Sequence, residues 1–148
     1  MRPGLERILG GAAEALNAEL VPQLQGPAVG HASMIRWLMT ASAQAADREP
    51  DVLLAEIAAM RRLFEDAADT TLPGDLCEQL REAVEGSQPT SYSISALTDL
   101  CNGMKATLIA LQIELEDISA GWARRLEAQA WDILRMGVDR RQVSLRGV

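Results

Sequence analysis

His31 is the one histidine of this chain, set in the stretch "GPAVGHASMIRWLM" over residues 26–39. Imidazole is the side chain best suited to move protons near neutral pH, so His31 is the first candidate for chemistry. With Ile35 at the centre of an apolar helix face, His31 falls about 40° away, between Ala28 and Leu38, and faces inward. It also lies in the first turn of that helix. The positive end of the helix dipole and burial both disfavour an imidazolium, so a neutral ring is expected.

A buried neutral imidazole needs a hydrogen-bond partner. Glu19 stands in the last turn of the preceding helical segment, on its Leu5–Ala12–Leu16 face. A short connection makes the two segments antiparallel neighbours, which predicts a Glu19–His31 hydrogen bond. Two roles follow. The pair clamps the first hairpin, or it forms the polar end of a ligand site whose adaptable walls are Met34, Met39 and Met60. An enzyme using the pair as a general base is the least supported version, because no nucleophile or oxyanion donor stands near it in sequence.

Other chemistries lack their residues. A di-metal bundle site needs Glu-x-x-His on two helices, which one histidine cannot supply. The chain has no HExxH, no GxSxG elbow, no Walker loop and no GxGxxG. No metal and no cofactor are therefore expected. Cys77 and Cys101 have no CxxC spacing and read as small buried thiols.

The elements that must position these residues are helices. Of the 148 residues 48% are apolar, mostly Ala and Leu, with one Phe and one Tyr. Ala and Leu favour helix, whereas strands draw on β-branched and aromatic residues. The expectation is an all-α, single-domain bundle of five to six helices covering 1–148. The net charge of −7 argues against nucleic acid as a partner. Residues 121–148 carry six Arg and three acids, whereas the first 120 carry eight bases and eighteen acids. That distribution suits a basic last helix lying on an acidic bundle. Lys105 is the sole lysine. No run approaches the ~20 apolar residues of a membrane span, so a soluble cytoplasmic protein without a membrane partner is expected.

Apolar periodicity places the segments. A first helix over about 3–21 carries the stripe Leu5, Ile8, Leu9, Ala12, Leu16 and Leu20. Gly10 and Gly11 interrupt it and would let another helix come close. A second helix runs from Pro27 to about Ala46, with Ser42 on its inner face. A third opens at Pro50 and Asp51 and carries Leu53, Ile57, Met60, Phe64 and Ala67. The pair Thr70 and Thr71 caps a shorter helix that bears Leu76 and Leu80 and stops at Gly86. A loop follows over 87–93, and serine caps the next helix. From there Leu97, Cys101, Met104, Leu108, Leu111, Leu115 and Ile118 continue through Trp122, Leu126 and Ile133. One unbroken helix over 93–137 would be about 67 Å long, too long for a domain of this size, so a break is expected near Gly121. The tail, about 138–148, shows no helical period.

Two features suggest a protein partner. Ala106, Ile109, Ala110 and Ile113 make the long helix apolar on its back, as in a central helix or a subunit interface. Trp37 projects from the second helix opposite Ile35. It is either waiting for a partner or covered by another helix, and cover is the expectation. Trp122 reads as core, and Trp131 has Arg124, Arg135 and Gln129 around it.

The stretch "RPGLERILGGAAEALNAELVPQLQG", with Glu19, Pro22, Gly26 and His31, resembles a family of small bacterial helical proteins. Members are often encoded beside aminoglycoside-phosphotransferase-like kinases and acyl-CoA dehydrogenases. The resemblance covers roughly residues 2–48. It implies an accessory role in acyl-CoA-linked catabolism. The function expected is a non-enzymatic helical interaction or accessory protein, self-associating or binding another protein, with Trp37, Ile109 and Ile113 at the interface. The alternative is a binding protein for an acyl or CoA-type small molecule at Glu19 and His31.

Overall fold

The computed structural model describes residues 4–142, and they are all-helical with no strand among them. Five α-helices follow in order: α1 (Leu5–Ala15), α2 (Pro27–Ala68), α3 (Gly74–Glu85), α4 (Ile94–Glu116) and α5 (Gly121–Arg140). The chain divides into two compact units, one comprising Met1–Glu49 with Arg141–Val148, the other Pro50–Arg140.

The second unit has a dense interior. Phe64, Met60, Leu80, Leu97, Leu108, Leu111 and Leu115 are all fully buried. They belong to one cluster to which α5 adds Ala123, Leu126, Ala130 and Ile133. The four-and-three spacing of α4 puts all six of its core residues on one stripe, as the sequence predicts. The helix starts at Ser93, whose Oγ accepts the Ala96 N–H at 3.3 Å. The expected break is present: α4 ends at Glu116 and α5 begins at Gly121. Cys77 and Cys101 are both buried. The helix before the 87–93 loop is not capped by threonine, however. Thr70 Oγ1 donates back to the Ala67 carbonyl at 2.6 Å and finishes α2 instead. Nor is the tail irregular from 138, because α5 continues through Val138 to Arg140. Residues 143–148 lie outside the described residues.

The first unit is a hairpin of α1 and the leading part of α2, and it differs from expectation in three ways. First, α1 ends at Ala15 and passes into a π-helical turn over Leu16–Leu20 and a 3-10 turn over Val21–Gln23. Gly26 then takes a left-handed φ of 61°, which suits a residue without Cβ. Second, the helices predicted on either side of residues 47–49 are one helix with Pro50 inside it. Proline removes one intrahelical hydrogen bond and crowds the carbonyl four residues earlier. The start signal at Pro50–Asp51 is real chemistry, but Asp47, Arg48 and Glu49 are compatible with helix, and the chain continues through. Third, the predicted stripe of α1 is not buried. Leu5, Ile8 and Leu20 are more than half exposed, and the buried side chains among the described residues of this unit are Ala13, Ala32 and Ala43. Gly10 and Gly11 do not serve a close helix approach either: a Cβ at either would meet nothing within 4 Å.

Candidate functional site

His31 does not face the core. It is exposed, as is Glu19, and no hydrogen bond or ion pair joins them. Two local causes explain the correction. The hairpin packs through small residues, so the inward line of α2 runs through Ala32 and Ala43 and not through Ile35. At 100° per residue His31 then lies about 100° from that line. The π turn also changes the spacing of α1 at its end, so Glu19 does not continue the Leu5–Leu16 face. Its backbone carbonyl accepts the Gln23 side-chain amide at 2.7 Å, and its carboxylate stays in solvent. Met34 is more than half exposed and Met39 half-buried, while Met60 is fully buried in the core of the second unit. The polar end of the expected ligand site is not assembled.

The expected interface residues are open to solvent. Ile109 and Ile113 are 57% and 60% exposed on the back of α4. Trp37 is 38% exposed, so the helix expected to cover it does not do so fully. Ser42, expected on the inner face, is exposed as well, and nearby Thr40 Oγ1 donates to the Arg36 carbonyl one turn earlier at 3.0 Å.

The hairpin's residues fall into two faces. Gly10, Ala13, Glu14 and Asn17 of α1 and its π turn line one groove with Arg36 and Thr40 of α2. The later half of α1 thus meets α2 at Arg36 and Thr40, and the short connection through the π and 3-10 turns to Pro27 makes the two helices antiparallel neighbours. Relative to Ala13 and Ala32, these polar residues lie about 40–100° round in one rotational sense. Leu5 and Ile8 lie about 80° and 140° from Ala13 in the other sense, and Ile35 and Leu38 lie about 60° and 120° from Ala32 in that same sense. In an antiparallel pair, equal offsets of the same sense point to the same side. Leu5, Ile8, Ile35 and Leu38 therefore share one face, with Met34 at its edge and His31 inside it. All five apolar side chains are 50–56% exposed. The charged residues of these stretches, Glu6, Arg7, Glu14 and Arg36, lie on the other sides.

A second feature lies outside the expectations from sequence. Glu56, on α2 in the second unit, is 1% exposed. Its Oε2 accepts from Lys105 Nζ at 2.9 Å and from Cys101 Sγ at 3.2 Å. The signal in the sequence is position alone: Glu56 is three residues after Leu53 and four before Met60, so it falls on the core stripe. Neighbouring α3 and α4 line a groove of about 390 Å³ with Glu82, Asp99, Met104 and Thr107. Among the described residues no group of three or more His, Cys, Asp or Glu is placed to hold a metal ion. No described helix is long and apolar enough to cross a membrane. No protein-family model, curated protein or solved structure matches the chain.

Proposed function

We propose that the chain is a non-enzymatic helical interaction protein that binds a protein partner through the Leu5–Ile8–Ile35–Leu38 face of its first unit. One observation carries the reading. Among the described residues of the hairpin the only buried side chains are Ala13, Ala32 and Ala43, while Leu5, Ile8, Ile35 and Leu38 are half-exposed or more, the reverse of a self-sufficient helical domain. Contiguous apolar surface of this kind marks an interaction site more often than an ordinary surface. The back of α4, with Ile109 and Ile113, is narrower.

The small-molecule alternative built on Glu19 and His31 is not carried forward, because the pair it needs is not formed. The accessory role in acyl-CoA-linked catabolism rests on the resemblance of residues 2–48. Co-purification of an acyl-CoA dehydrogenase with the tagged chain from cells tests it, and recovery of none removes it. For the interaction itself, a photo-crosslinking residue at position 38 should yield a higher-mass product in cells, and one at the exposed Ala128 should not. Equal yields at both positions, or none at either, would contradict the assignment.

A further inference from the structure

We infer that the partner of this face is a second copy of the chain, docked face to face so that two hairpins form a four-helix arrangement. The inference rests on the interaction reading above and names its occupant.

Three observations lead to it. The first is charge. Over residues 5–16 and 27–46 no Asp, Glu, Lys or Arg falls on the face, whose remaining positions include Ala12, Ala15, Leu16, His31, Ser42 and Ala45. An isologous interface sets each patch against its own image, so any net charge on it would meet like charge. Residues 50–140 hold sixteen acids and eight bases, whereas residues 1–49 hold five acids and four bases. Two copies of an acidic protein meet with least repulsion at the hairpin.

The second is area. Half-exposed aliphatic side chains of this size leave on the order of 100 Å² open each, so five offer on the order of 500 Å² per copy before smaller neighbours are counted, against about 800 Å² per partner in a standard stable interface. With Ala12, Leu16 and His31 the face approaches that size.

The third is the state of the unit without a partner. A unit of roughly 60 residues buries a modest share of its surface and is marginal on its own. Among its described residues this one buries three side chains, all alanines. A second hairpin laid on the open face supplies the missing half of a core. A lipid surface is the poorer match. Interfacial helices border their apolar face with Lys and Arg, and residues 4–49 hold three bases against five acids.

Light scattering coupled to size exclusion tests the inference on the full chain from 1 to 200 µM, with wild type, Ile35→Glu, His31→Glu and Ile113→Glu compared. Wild type and Ile113→Glu should be dimers. Ile35→Glu and His31→Glu should be monomers with unchanged helical circular dichroism. Their dimer dissociation constants should rise on the order of a hundredfold or more, because a symmetric interface is struck twice. Both substituted positions are exposed in the single chain, so neither strains its fold. The mass of the position-38 crosslink completes the test. A product of twice the chain mass supports the inference. A monomeric wild type, or a crosslink to a different protein, overturns it while leaving the interaction reading intact. A dimer broken by Ile113→Glu and untouched by Ile35→Glu overturns both.

Discussion

The two units use helices in opposite ways. Residues 50–140 put Leu, Met and Phe inside and form a closed four-helix interior. Residues 4–49 put alanine inside and leave Leu5, Ile8, Ile35 and Leu38 outside. The unit that places large side chains inward closes an interior of its own, and the unit that places them outward leaves an apolar face in solvent. Amphipathicity therefore identifies a face that seeks cover without saying whether the cover lies in the same chain.

Substitutions should separate the units sharply. The largest effect is expected from Phe64→Ala, which empties a fully buried position and should destabilise the second unit by about 3–5 kcal/mol in urea unfolding. A loss below ~1 kcal/mol would mean that this interior is not the well-packed half.

Next comes the buried ion pair. Lys105→Met leaves Glu56 without its nearest cation and should cost about 2–4 kcal/mol, at the lower part of the usual range because Lys105 is about a third exposed. The double variant Glu56→Met/Lys105→Met should recover most of that loss, since an apolar pair of similar volume replaces a desolvated one. A double variant as unstable as the single would show that the pair is held by more than its charges.

Ile35→Ala should change the unfolding free energy of the single chain, read at concentrations below dimer formation, by less than ~0.5 kcal/mol, as exposed positions do. A core-sized loss there would place Ile35 inside and erase the contrast. The smallest effect belongs to His31→Ala. Unfolding of the second unit should shift by less than ~0.5 kcal/mol, because the ring is exposed and bonded to nothing in the chain.

The sequence was legible where period and partner coincide. The α4 stripe from Leu97 to Leu115, the break before Gly121 and the cap at Ser93 follow from spacing and local chemistry, and all are present. The hairpin was not legible, because the largest apolar side chains there do not mark the inward side. Helices joined through alanine turn by about 60° relative to an inward line through Ile35, which leaves His31 about 100° from the packed side and Ile35 in solvent with it. The π turn at Leu16–Leu20 has no clear sequence signal, and it moved Glu19 off its face. Pro50 failed as a boundary because the same residue starts helices and is tolerated within one, and only its surroundings decide. The role of Glu56 is not legible in the sequence because a charge on a core stripe becomes intelligible only with Lys105 beside it.

Hydrogen exchange read by mass spectrometry at 1 and 200 µM tests the central contrast most directly. Amides of α3, α4, α5 and the part of α2 after Pro50 should exchange slowly at both concentrations. Those of α1 and of α2 before Pro50 should exchange quickly in the dilute sample and slow markedly in the concentrated one, so that protection changes partway along a single helix. Equal protection of both halves of α2 at 1 µM, or exchange in the hairpin that ignores concentration, would contradict the account.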